Sequence, residues 1–173
     1  MKRRQALAHI VRHYCLQEVL HIGMLERELR EYMSPSIREL FMDYAFKFVG
    51  KFYIWGGSDP SGFDCSGFCI EALKGVGALP RRGDWTAEGL WYYFKDKQVQ
   101  DPHEGCLVFW ADSAGKPIHI EICVNEQLAL GASGGGSKTT TLEKAIEHDA
   151  FIKMRPMHTR AGIKGYVDPF KEV

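Results

Sequence analysis

The amino-acid sequence predicts an α+β fold in which helices lead and a small antiparallel sheet follows. Three observations point there. Apolar residues in the first half recur at helical spacing, with Ser, Asp or Thr before the runs and Gly after them. After about residue 106 the period changes to short runs rich in β-branched and aromatic residues. The order is one block of helices and then one block of strands, without the regular alternation of a parallel sheet.

Leu7, Val11 and Tyr14, then Leu25, Leu29 and Met33, stand at helical spacing with Gly23 between them, which reads as one broken helix or two short ones. Ser34-Pro35 marks a stop and a restart, because serine caps a helix and proline fits its first turn. The next helix is expected to run to about Val49, where Gly50 ends it. Phe52-Tyr-Ile-Trp-Gly-Gly and a Ser-Asp-Pro-Ser-Gly loop then lead into Asp64-Cys-Ser-Gly-Phe-Cys-Ile-Glu-Ala-Leu, a helix capped by Asp64 and closed by Gly75 and Gly77. Asp84 or Thr86 caps a short aromatic helix through Phe94. Residues 107–110, 118–124, 127–130 and 151–155 read as strands, with a polar glycine loop at Gly134 to Gly136 and a short helix from Thr141 to His148 before the last. Residues 1–33 are thus expected to form a helical N-terminal extension and residues 34–173 the domain that carries chemistry.

With 173 residues, 45% apolar and 12% aromatic, the chain buries one ordinary core and is short for two. Twenty-two Lys and Arg balance twenty-two Asp and Glu, so no net field favours nucleic acid or an anionic membrane, and neither is an expected partner. Met1-Lys-Arg-Arg is basic, but the residues after it lack the continuous apolar run of a secretory signal. No stretch has the roughly 18 unbroken apolar residues of a membrane span. The five cysteines, Cys15, Cys65, Cys69, Cys106 and Cys123, are odd in number and lack the paired spacing of a zinc site, so no metal is expected and most read as reduced core residues. His9 and His13 stand one helical turn apart without a third ligand, and a solvated face accounts for them.

Chemistry concentrates at Asp64-Cys65-Ser66-Gly67. A thiol in the first turn of a helix meets unsatisfied amides and the positive end of the dipole, which favour the thiolate, and the same amides suit an oxyanion. Such a nucleophile needs a base, and His119, near the start of a predicted strand, is the histidine best placed to project from a sheet towards that helix. Cys69, one turn beyond Cys65, reads as a core residue, since a disulfide within one turn is geometrically poor. The glycine run at Gly134 lacks the Lys-Ser/Thr ending of a nucleotide loop, and a flexible wall of a substrate groove suits it better. Trp55 and most of the aromatic run from Trp85 to Phe94 read as core.

Tyr53-Ile-Trp-Gly-Gly, Phe63-Asp-Cys-Ser-Gly-Phe, Gly105-Cys-Leu-Val-Phe-Trp and His119-Ile-Glu-Ile, in that order, resemble the successive signature blocks of NlpC-type peptidoglycan endopeptidases. The resemblance covers roughly residues 37–169 and implies a truncated papain-like fold, N-terminal helices packed on a small antiparallel sheet. It implies Cys65 as nucleophile, His119 as base and Tyr53 beside the nucleophile as an aid to the oxyanion. Asp64, Ser66 and Ser133 become candidates for placing substrate. The family's third residue, often a His that orients the base, falls at Gly131, which has no side chain to do so. Glu121, on the face of the strand that carries His119, or Ser133, or a backbone carbonyl is expected to take that role. Cys106 stands where the family usually has Asp, a mainly structural position. The implied activity is hydrolysis of a peptidoglycan stem peptide, at a γ-D-glutamyl-diaminopimelate bond, through an acyl-enzyme and without cofactor. The alternatives are a non-catalytic phage or cell-wall-binding module on the same fold, or an acyltransferase using the same pair. With no secretory signal read near Met1, a cytoplasmic or phage-associated protein is expected, delivered to the cell wall by lysis, virion or dedicated secretion, or else acting on a different, intracellular substrate. Oligomeric state is not legible in the residues.

Overall fold

The computed structural model describes residues 21, 22, 24, 25 and 34–172. The chain divides into two units, Met1–Pro35 and Ser36–Val173, and the account below concerns the second. The helices expected between Leu7 and Met33, with His9, His13 and Cys15, lie largely or wholly outside the described residues.

The first helix of this unit, α1 (Ile37–Phe46), starts at Ser36 and not at the Ser34-Pro35 step. Ser36 Oγ accepts from the Glu39 amide while the Glu39 carboxylate accepts from the Ser36 amide, a reciprocal cap that Ser34 lacks the spacing to make. A turn through Gly50 then brings the chain to Phe52 and Tyr53. These two residues make single bridges to Phe151 and Phe63, so Tyr53 is fixed between the hairpin β1 (Ser58–Asp59) and β2 (Gly62–Phe63) on one side and β7 (Phe151–Pro156) on the other. Asp64 caps α2 (Cys65–Gly75), and Thr86 caps α3 (Ala87–Tyr93). Thr141 caps the short α4 (Leu142–Glu147).

Six strands form the main sheet, β3 (Gln98–Val99), β4 (Leu107–Ala111), β5 (Pro117–Cys123), β6 (Leu128–Ser133), β7 and β8 (Ile163–Val167), in the spatial order β3-β8-β4-β5-β6-β7. Neighbours are antiparallel throughout. Along β4 the side chains alternate: Leu107 and Phe109 join the core under the helices with Phe41, Phe68 and Leu73, while Val108 and Trp110 join a second cluster with Cys106, Cys123 and Met157. Burial on both faces explains why β4 reads as a continuous apolar run.

β1, β2, β3 and β8 are absent from the sequence reading. The first three are two residues long, too short for a period to show. β8 contains Gly165 and is half exposed, so it lacks an apolar alternation, yet it fills the place between β3 and β4. Past Ile122–Leu130 the strands β5 and β6 stop pairing, although β6 continues along β7 to Ser133. The sheet thus opens into a wedge.

Close backbone approach holds α2 in place. A Cβ on Gly67 would overlap the Gly57 carbonyl oxygen, with Ser58 Cα at 3.1 Å. Neither neighbour is a flexible side-chain end, so Gly67→Ala is expected to destabilise the fold by about 3 kcal/mol, read as a lower denaturant midpoint. Wild-type stability in that variant would show that the loop yields.

Candidate active site

Cys65 opens α2, and its sulfur meets β5: the backbone amides of Ile120 and Ser66 lie in hydrogen-bonding reach of it. The Asp64 carboxylate anchors this corner, accepting from the Gly67 amide at 2.7 Å, the Ser66 hydroxyl at 2.9 Å and the Gly56 amide at 3.1 Å. Asp64 and Ser66 are thus tied to each other, on either side of Cys65. Burial first, and then the Asp64 charge, push the Cys65 thiol up to about 11. The helix start alone favours a thiolate, whereas burial works in the opposite direction. Occlusion and an adjacent carboxylate outweigh the dipole.

His119 stands in the wedge where β5 leaves β6, 7% exposed, with its ring 5.3 Å from that of Trp110 on β4. Its Nε2 lies 2.8 Å from Glu121 Oε1. An ionised carboxylate there requires the proton on Nε2 and leaves Nδ1 as the basic nitrogen. Burial lowers the pKa of His119, opposed by Glu121, so the ring is neutral at pH 7.

Glu121 is fully buried, and its place explains Gly131 on the facing strand. A Cβ on Gly131 would overlap Cγ of Glu121 and stand 2.7 Å from its Cδ. One pocket of space serves both positions. Arg155 lies behind, its Nε 3.8 Å from Glu121 Oε1. Of the two side chains weighed for orienting His119, Glu121 contacts the ring, whereas the Ser133 hydroxyl accepts from Arg160 Nη2 at 3.1 Å.

Two cavities meet at Cys65. One, of about 340 Å³, is lined by Tyr53, His119, Ser133, the Gly134–Gly136 loop and Arg160. The other, of about 310 Å³, is lined by Asp64, Ser66, Thr86, Glu88 and Lys116. Trp55 and Ile118 border both and are 52% and 56% exposed. Trp55 is therefore a wall of the cleft and not the core residue expected from its neighbours. Tyr53 is 4% exposed, and a Cβ on Gly135 would overlap its ring, so the glycine loop lies directly on it. Burial raises the phenol, and the nearby Cys65 adds to this, so the hydroxyl keeps its proton as a donor.

Sequence reasoning missed Arg160, which follows the short 3₁₀ turn Met157–Thr159, where no period or motif marks it. Elsewhere, ligand atoms of His103, Cys106 and Asp168 lie within 4.8 Å of one another, and these residues line neither cavity at Cys65. Arg38 holds both oxygens of Asp168, at 3.0 and 2.9 Å, so a guanidinium already serves as the cation there. A larger hollow of about 520 Å³ beside His103 and Val124 to Gln127 contains no thiol.

Residues 50–156 match the family model described as NlpC/P60 family. Among curated proteins, the chain is 39% identical over 114 residues to the gamma-D-glutamyl-L-lysine dipeptidyl-peptidase of Bacillus subtilis (strain 168), covering 62% of this chain and 37% of that one. It is 30% identical over 115 residues to the probable peptidoglycan endopeptidase LytE of the same organism, covering 65% and 32%. The crystal structure of the NlpC/p60 domain of the peptidoglycan hydrolase SagA aligns with a TM-score of 0.51 at 24% identity, covering 75% of this chain and 97% of that chain, a likeness of fold. The chain spans less than half the length of the curated relatives it matches.

Proposed function

Because this chain belongs to the NlpC/P60 family, we propose that it is a cysteine endopeptidase acting on peptidoglycan stem peptides, at a γ-D-glutamyl-diaminopimelate bond. The observation that carries the reading is the joint presence in one cleft of a thiol at a helix start and a histidine held by a buried carboxylate. Relatives that include a bifunctional muramidase/DL-endopeptidase and a gamma-D-glutamyl-L-lysine dipeptidyl-peptidase support the bond class.

His119 Nδ1 takes the Cys65 proton as the sulfur attacks the peptide carbonyl carbon, so thiolate and imidazolium form together. The oxyanion meets the first amide of α2 and the Tyr53 hydroxyl. His119 then returns its proton to the departing amine, which leaves a thioester on Cys65. Water, deprotonated by His119, resolves that thioester to the free acid. Glu121 keeps the imidazole in the required tautomer and steadies its charged form.

The pH profile tests this account. The active free enzyme has neutral His119 and protonated Cys65, so it persists between the two pKa values. With His119 below the ordinary 6.5 and Cys65 at about 11, kcat/KM is expected to fall on the acid side only below 6.5 and to stay flat through about pH 9. A decline that begins near pH 8 would instead indicate a preformed thiolate-imidazolium pair.

Incubation with purified peptidoglycan, followed by mass analysis of the fragments, tests the bond. New free amines on diaminopimelate are expected, and intact stem peptides would overturn the assignment. The fold as a non-catalytic module fits poorly, since a decayed site has no need of a buried Glu121 on its histidine.

A further inference from the structure

The two arms of the cleft differ in charge. In the arm away from His119, Lys116 is neutralised by Glu88 at 3.1 Å. In the arm with His119, the lining cation is Arg160, and among the described residues no carboxylate lies within ion-pair distance of it. Its guanidinium is held by neutral groups, the Ser133 hydroxyl at 3.1 Å and the face of Trp110, 5.5 Å from Cζ to the ring centre. Its carbonyl accepts from Trp110 Nε1 at 3.1 Å. The Trp110 ring that carries Arg160 also touches His119. Cation and base therefore share one support, on one side of the sulfur.

A guanidinium has five N–H donors in a planar fork, and one bond to a hydroxyl leaves most of them for a ligand. The fork matches a carboxylate. Its side of the cleft follows from the chemistry: His119 delivers a proton to the departing amine, so the residue that leaves lies next to the imidazole and to Arg160. We infer that Arg160 is a recognition site for a carboxylate on the departing residue of the substrate. This rests on the peptidase reading above and narrows it. Diaminopimelate carries a side-chain carboxylate that lysine lacks, so the site favours diaminopimelate-containing peptides over their lysine or amidated counterparts. Arg160 lies past the stretch 50–156 that matches the family model.

Two measurements test it. The first compares alkylation of Cys65 by iodoacetate and by iodoacetamide at pH 9. The ratio of the two rates cancels any change in thiolate population and reports only the attraction of an anion. Arg160→Gln is expected to lower that ratio roughly tenfold, and Arg160→Lys, which keeps the charge, to retain most of it. A ratio unchanged by Arg160→Gln, in a variant that melts like the wild type, overturns the inference. Should Arg160→Gln not fold, a ratio in Arg160→Lys and wild type no higher than that of free cysteine overturns it equally.

The second compares two synthetic γ-D-glutamyl peptides, one departing with free diaminopimelate and one with its carboxylates amidated. The wild type is expected to favour the free acid by about 10- to 100-fold in kcat/KM, and Arg160→Gln to lose that preference. Equal rates for the two peptides in the wild type count against the site. If neither peptide is cleaved while the alkylation ratio still depends on Arg160, the anion site stands and the peptidase reading fails. If both are cleaved and neither measurement responds to Arg160, the reverse holds.

Discussion

Glu121→Gln is expected to lower kcat by about three orders of magnitude while leaving KM within a few-fold and the fold intact. The amide has nearly the shape of the carboxylate, so it still fits the space beside Gly131. Its electronic effect is large for two reasons. An amide oxygen supports the developing imidazolium far less than an anion does, and an amide nitrogen turned to the ring stabilises the tautomer with its proton on the wrong nitrogen. The 2.8 Å contact to Nε2 is the only hydrogen bond that the described residues offer this ring's side chain. Steady-state kinetics on a stem peptide checks the figure, and a loss under tenfold would return the orienting role to a backbone group. Gly131→Ala probes the same contact from the facing strand. The added methyl displaces Glu121 from the ring, so activity is expected to fall with a stability loss of about 2 kcal/mol.

Cys65→Ser is expected to reduce turnover to background, a fall of at least about 10⁴-fold. Serine keeps a hydroxyl at the helix start and preserves the capping of Asp64, so thermal stability should change little. Its acidity is too low for His119, whose pKa is depressed by burial, to generate the nucleophile at a useful rate. The thiol is itself raised to about 11 and already draws on the Ile120 and Ser66 amides to become ionised in the transition state. Fragment release from peptidoglycan by this variant would move the nucleophile elsewhere.

Local rules made part of this site legible. The cap at Asp64 places Cys65 at a helix start, and a period of two places Glu121 on the His119 face of β5. Tyr53 and Ser133 needed the resemblance or the strand pattern to be noticed, and both line the same cavity as Cys65. What stayed hidden is tertiary in origin. Arg160 is carried to the cleft by a turn whose Met157 amide bonds to Gln127 on the far hairpin, a contact that no local pattern encodes. Trp55 looks like core by composition, but the loop that follows Tyr53 turns it outwards. A helix start is visible in residues, while the depth of burial that raises the thiol is not.

Positions 121 and 131 face each other across a gap with room for one side chain, and this limits how such an enzyme can change over generations. A bulky residue gained on β6 is harmful until β5 gives up its glutamate, and surrender of the glutamate is harmful until β6 supplies a substitute. A Glu121→Ala, Gly131→His double replacement is therefore expected to recover activity that either replacement alone loses.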